Sequence, residues 1–370
     1  MKIPFFRYDY LYKLYSKSLL KIIHNTAGKG RFIMQEELSK FEKNLAKFCG
    51  AKFCVGVSNA TDGLQMLLMA AGLKKGDEIL MSTHTMIATA SAAYFCGAKP
   101  VLLDIKKNDF LIDPEKIEKK INKKTKAIIV TQLNGRIADM NKILKIAKKF
   151  KLLVFEDSAQ ALGAKQYNKK AGTFGQGGCF SFYPAKVLGC FGDGGAVITN
   201  SQQIYKRILL LRDHGRNNGN VKVWGFNARL DNIEAALLSF LLKKLPMFIK
   251  KRRKLAKMYF DNLNKIEQLS LPPAPNENVK NFDIFQNFEI FAKDRNKLMR
   301  YLKSEGIGTS KQWFGKGLHN FKDLKMGQVS KKTKIIFDNL LLLPMNISLS
   351  NKEVEYICKK IKYFYLNDSK

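Results

Sequence analysis

Between Lys52 and Asn200 the chain repeats one pattern: a short apolar run, a polar junction, then a longer stretch with apolar residues at helical spacing. The runs are KFCVGVS, EILMS, PVLLDI, AIIVTQL, LLVFED, CFSFY and GAVITN, and between them stand NATDGLQMLLMAAG, TMIATASAAYFCG and DMNKILKIAKKF. Parallel strands need long crossovers, and crossovers that carry helices cover both sheet faces, so this alternation predicts an α/β fold with a mostly parallel seven-stranded-type sheet covered by helices. Ligands gather at the carboxyl ends of strands in such sheets. Four landmarks fall there: Ala60-Thr61, Thr85-Met86, Asp157 to Gln160, and the loop that carries Lys186.

From about Leu237 the pattern changes to a long basic helix, the proline-rich crossing LSLPPAPNENVKN, then NFDIFQNFEIFA, the helical RNKLMRYLKSEG, IGTSKQW, and a final helix NKEVEYICKKIKYFYL. A chain of 370 residues exceeds one compact core. The expected division is residues 1–236, an N-terminal segment with the large domain, and residues 237–370, a smaller α+β domain.

The net charge of +34 invites a nucleic-acid or anionic-polymer reading. Its distribution argues otherwise: lysines come in pairs and triplets on one surface helix after another (INKKTK, KIAKKFK, FIKKRRK, VSKKTK), with few arginines and no aromatic interleaving. A lysine-rich solvated surface that speeds the arrival of anionic substrates is the expectation, with no nucleic-acid partner. The six cysteines form no C-x-x-C pair, so they read as reduced thiols without metal. No apolar run reaches membrane-helix length and the first residues lack a signal-peptide core, so a soluble cytoplasmic protein without membrane insertion is expected.

Asp157 follows an apolar strand, where a carboxylate is partly desolvated and needs a cationic or donor partner. A pyridinium nitrogen makes sense of the set. With pyridoxal 5'-phosphate lying across the strand ends, Asp157 would hold the ring nitrogen protonated, and Lys186, after CFSF in a loop broken by Pro184 and Gly189, would reach the aldehyde. Removal from water beside a cationic ring should lower the lysine pKa. The backbone N–H groups of Ala60 and Thr61, the Thr61 hydroxyl and the Ser181 hydroxyl would cradle the phosphate.

The segments GRFIMQEELSKFEKNLAKFCGAKFCVGVSNATDGL, HTMIATASAAYFCGAKPV, EDSAQALGA, GCFSFYPAKVLGCFGDGGAVITN, LRDHGR and GFNARLDNIEAALL resemble the motifs of the DegT/DnrJ/EryC1/StrS sugar aminotransferases, which have the fold-type-I (aspartate aminotransferase) architecture. The resemblance runs from about Lys29 to Pro246, and more loosely to the end. It implies that Lys186 is the Schiff-base lysine, Asp157 the pyridinium partner, Gln160 the contact to the ring hydroxyl, and Ala60, Thr61 and Ser181 the phosphate ligands. It also implies a homodimer with shared active sites, in which Asn227 reaches the phosphate of the neighbouring subunit's cofactor.

Two departures stand out. Met86 occupies a position that is often aromatic in relatives, where it would pack its thioether on the ring. QWFGKGLHN replaces the relatives' sugar-pocket segment, which makes Trp313, Phe314 and His319 candidate substrate residues. The implied reaction moves an amino group from an amino acid, L-glutamate in relatives, to a nucleotide-linked keto-sugar. A sugar dehydratase of the same fold is the rival within the family, but it resembles this pattern with histidine at position 186. A basic polymer-binding protein is the rival outside it.

Overall fold

A computed structural model describes residues 1–276 and 280–367; the centre of the proline-rich crossing, residues 277–279, lies outside the described residues. Seven strands form the main sheet: β1 (Phe53–Val57), β2 (Glu78–Ser82), β3 (Lys99–Leu103), β4 (Thr125–Thr131), β5 (Leu153–Asp157), β6 (Gly177–Ser181) and β7 (Gly195–Thr199). Their order is β1-β7-β6-β5-β4-β2-β3. Four pairings, from β3 through β2, β4 and β5 to β6, are parallel, while β7 runs antiparallel to both β6 and β1.

The strands alternate sides as a pleated backbone requires. Ile128 and Val130 of β4 enter one core, and Ala127 and Ile129 enter the other. Among the described residues, seven helices belong to this lobe: α1 (Tyr10–Ala27), α2 (Glu36–Cys49), α3 (Ala60–Ala70), α4 (Ile87–Phe95), α5 (Met140–Lys149), α6 (Gln202–Arg212) and α7 (Asn232–Leu242). Leu38 and Phe41 of α2, Ile143 of α5 and Leu238 of α7 close the first core, while Leu64 of α3, Ala93 of α4 and Ile208 of α6 close the second.

The second lobe is built on a three-stranded antiparallel sheet of β8 (Leu269–Ser270), β9 (Phe288–Ala292) and β10 (Leu340–Leu343), with β9 in the centre. Three helices, α8 (Leu245–Leu263), α9 (Arg295–Ser304) and α11 (Asn351–Asn367), contribute Tyr259, Leu298 and Ile357 to its core. A shorter helix, α10 (Lys331–Asp338), joins Ile336 and Phe337 to Ile105 and Phe110 of the first lobe.

Two expectations about the division need correction. The helix expected from Leu237 is two helices, broken at Lys243 and Lys244, with Pro246 in the first turn of α8 where its missing N–H costs nothing. The 236/237 division therefore falls inside α7, whose Leu237 to Leu242 face packs on the first lobe. The first residues also lie elsewhere than expected: Ile3, fully buried, pairs with Ile307 and joins the core of the second lobe.

Candidate active site

Phe182, just past the end of β6, donates its N–H to Gly194 O at 2.8 Å, and Cys190 N–H returns to Phe182 O at 2.8 Å, so residues 182–194 close on themselves. Within this loop Lys186 N–H donates to Tyr183 O at 2.8 Å. Gly189 passes so close beneath Pro184 that a Cβ there would stand 2.7 Å from the Pro184 carbonyl oxygen. The turn aims the Lys186 side chain into a cavity of about 370 Å³ at the carboxyl ends of the parallel strands.

Ala60, Thr61, Met86, Asp157, Gln160 and Ser181 line that cavity with Lys186, and Trp313 joins them from the second lobe. Among the described residues no carboxylate pairs with the Lys186 amine. Withdrawal from water is the larger influence on it and brings its pKa down to about 8; Asp157 pulls the other way.

Asp157 is held by hydroxyls. Its Oδ2 accepts from Thr89 Oγ1 at 2.6 Å, Thr89 Oγ1 lies 2.6 Å from Thr85 Oγ1, and Thr131 Oγ1 donates to Thr85 Oγ1 at 2.9 Å. Its Oδ1 accepts from Ala159 N–H at 3.2 Å. The neighbouring Glu156 points the other way, fully buried, and anchors the N–H groups of Gly172 and Phe174 at 2.9 and 2.6 Å. Burial raises its pKa, and it has no access to the cavity.

Gln160 is oriented by its neighbours. Its Oε1 accepts from Asn134 N–H at 2.9 Å and from Asn287 Nδ2 at 3.3 Å, which leaves the Nε2 donor for the cavity. Asn134, in the left-handed region at φ 60°, is held in turn by Gln312 Nε2 at 2.7 Å and by the buried Glu289 at 2.6 Å. Asn59, also on the cavity wall, caps α3 by accepting from Asp62 N–H at 2.9 Å, while the N–H groups of Ala60 and Thr61 have no carbonyl one turn back to bind.

Three expected residues lie outside this cavity. His319 is buried, its Nδ1 is 2.8 Å from Thr83 Oγ1 and its N–H donates to the same hydroxyl at 3.2 Å, so it ties its segment to the end of β2 and burial lowers its pKa. Phe314 is 91 % exposed, on a left-handed turn that it shares with Trp313. Asn227 is exposed and bridges to Asp213. Within one chain, His319 is a strut, and Phe314 and Asn227 face outward.

Residues that the motif reading passed over include Thr89, Thr131, Asn134, Gln286, Asn287 and Gln312. Thr89 follows Thr85 by four residues, one helical turn, which is a readable signal. Gln286, Asn287 and Gln312 arrive from the second lobe and carry none.

The donor set fits a planar phosphorylated heterocycle with a ring cation: one cavity brings together the unpaired N–H groups of a helix start, hydroxyls, a hydroxyl-anchored carboxylate, an amine without a carboxylate partner among the described residues and a side-chain amide donor. Comparison with known proteins agrees. A UDP-2-acetamido-2-deoxy-3-oxo-D-glucuronate aminotransferase of Pseudomonas aeruginosa is 36% identical over 78% of this chain and 79% of its own length. The crystal structure of DesV from S. venezuelae superposes with a TM-score of 0.93 at 29% identity, covering 98% of both chains. NtdA of Bacillus subtilis, with bound cofactor PMP, superposes at 0.91 and 28% identity over 99% of this chain and 86% of its own. The model of the DegT/DnrJ/EryC1/StrS aminotransferase family matches residues 15–362, and the chain belongs to that family of pyridoxal-phosphate-dependent aminotransferases.

Proposed function

We propose that this aminotransferase moves the amino group of an amino acid, L-glutamate, to the ketone of a nucleotide-linked sugar, and that Lys186 and Asp157 carry the chemistry. The single observation that supports this most is one cavity holding an amine with no carboxylate partner and a carboxylate fixed by a chain of hydroxyls. Pyridoxal phosphate supplies, when bound, an aldehyde that takes up amines and a protonated ring that withdraws electrons from the reacting carbon. Asp157 would keep the ring nitrogen protonated, with Thr89 fixing the carboxylate's direction. Gln160 Nε2 would donate to the ring hydroxyl, and Ala60, Thr61 and Ser181 would bind the phosphate. Met86, on the cavity wall, would pack on the ring face.

Lys186 Nζ would move the proton between the donor's α carbon and the cofactor. A pKa near 8 leaves roughly three hundredfold more uncharged amine at neutral pH than an ordinary lysine has. Trp313 and Leu342 restrict water on the second-lobe side. The charge of +34 would steer a phosphorylated sugar and a dicarboxylate toward the site.

The working unit would be a homodimer in the cytoplasm. Asn227 stands exposed beside Trp224, which is 95 % exposed, and a second copy of the chain would cover both and bring Asn227 to the partner's phosphate. Trp313 and Phe314 remain the proposed sugar-side residues, and His319 supports their segment from behind.

Substituting Lys186→Ala is expected to abolish both the visible absorbance of the bound cofactor and turnover. Amination at near wild-type rate would overturn the assignment. Assays pairing glutamate with UDP- and dTDP-linked keto-sugars, against small keto acids and aldehydes, test the acceptor separately.

A further inference from the structure

Gln286 reaches from the second lobe to the loop that carries Lys186 and grips it on both sides. Its Oε1 accepts the N–H of Val187 at 2.8 Å, and its Nε2 donates to the carbonyl of Ala185 at 2.8 Å. The orientation of the amide is settled by its partners, since one is only a donor and the other only an acceptor. The two bonds fall on the residues immediately before and after Lys186, so one planar amide does what the peptide group of a neighbouring strand would do. Fixing both flanking peptides fixes the Cα–Cβ direction of the lysine between them.

The grip is itself backed. Gln286 is 6% exposed, and its own carbonyl accepts from Arg252 Nη1 at 2.9 Å; the same nitrogen holds Phe285 O at 3.1 Å and Met345 O at 2.9 Å. Arg252 is buried, and among the described residues no carboxylate pairs with it. On the other side Gly135, at φ 83°, lets the chain pass: a Cβ there would stand 2.7 Å from Gln286 N. Gln286 also lines the cavity that Lys186 enters.

We infer that Gln286 is the positioning residue for Lys186, an amide clamp by which the second lobe sets the lysine's direction and depth in the reaction cavity. The inference rests on the proposed role of Lys186 only for its consequence in turnover. Without the clamp the loop is held by its own turn, and the amine is free to swing toward water. Its pKa then returns toward that of an ordinary lysine, and proton transfer suffers because misplacement of a reacting group by about 1 Å costs on the order of a hundredfold.

The test uses Gln286→Met, close in shape and without either hydrogen bond, and Gln286→Glu, which keeps an acceptor for Val187 N–H and turns a second oxygen against the Ala185 carbonyl. In cofactor-free protein, labelling of Lys186 by an amine-reactive ester is followed against pH by peptide mass spectrometry. The wild type should titrate at about 8 and Gln286→Met should move toward 10.5; Gln286→Glu also sets a carboxylate in the cavity, which raises the amine by itself, so that variant is read by kcat. With pyridoxal phosphate bound, kcat should fall about tenfold or more while the KM for the amino donor stays within about threefold. A contact that served stability alone would lower the melting temperature and leave the labelling profile where it was.

Folded variants with wild-type labelling and kcat within twofold would overturn the inference. So would rapid solvent exchange of the Val187 N–H in the wild type, which can be read even where a variant does not fold. A shifted labelling profile in a protein whose wild type shows no transamination would keep the clamp and sink the functional reading. Unchanged labelling in a competent aminotransferase would do the reverse.

Discussion

Lys186 costs stability where it sits. Its folded pKa of about 8 lies below the value of 10.5 that it has in an open chain, so between those values the unfolded state binds more protons and stability rises with pH. Below about pH 8 the whole penalty is present. Replacing the charged amine by an apolar chain, Lys186→Met, should therefore stabilise cofactor-free protein at pH 7 by on the order of 2 kcal/mol, a gain that shrinks as pH climbs through 8 toward 10.5 and is checked by urea titration at several pH values. The Thr131, Thr85 and Thr89 hydroxyls pose the opposite case. Thr85→Val removes the middle of their chain, leaves two buried hydroxyls with one partner fewer, and should cost about 1–3 kcal/mol along with weaker cofactor binding by equilibrium titration. That Lys186 and Asp157 would meet at the strand ends was legible because each stands at the end of, or just past, an apolar run. Thr89 was within reach through its spacing from Thr85. The Gln160–Asn134–Glu289 contacts were not, since they join residues more than twenty and more than a hundred and fifty positions apart with no local pattern.

At the level of elements, the seven strands and the helices between them could be read because each obeys its own period and the sheet takes both faces of every strand into a core. The break at Lys243 and Lys244 could not be read that way, because apolar residues continue at helical spacing across it from Leu237 to Ile249. The corner at Asn134 and Gly135 shows in sequence only as the Asn-Gly pair of a turn; nothing local tells which chain segment it makes room for. Its demand is strict. Gly135→Ala combines a positive φ with a Cβ 2.7 Å from a backbone nitrogen and should destabilise by about 3 kcal/mol, measured by chemical denaturation, while displacing Gln286 and lowering kcat with it. Gly189→Ala would strain the lysine loop from within, against the Pro184 carbonyl.

For the whole molecule, the proposed dimer predicts a solution mass of twice the chain's 42.1 kDa in sedimentation equilibrium, and substituting Trp224→Glu should shift it toward the single-chain value. Among the described residues no helix is long and apolar enough to cross a membrane. Scattered ion pairs such as Lys142 with Glu115 and Lys149 with Glu118 are exposed and worth little against the repulsion of a +34 net charge, so added salt should raise thermal stability while slowing encounter with anionic substrates. The change of pattern near residue 237 was legible as the end of the strand-and-helix alternation; the crossing of the chain start to Ile307 was not, because one short strand contact at Ile3 leaves no periodic trace. That contact also has a bearing on biosynthesis. Ile3 leaves the ribosome about three hundred residues ahead of Ile307, and at roughly 5–20 residues per second it waits some fifteen to sixty seconds for its partner. The seven-stranded sheet of the first lobe is complete in the chain by Thr199 and α7 follows by Leu242, so that lobe can fold while Ile3 is still unpaired and waiting for the second lobe to close over it.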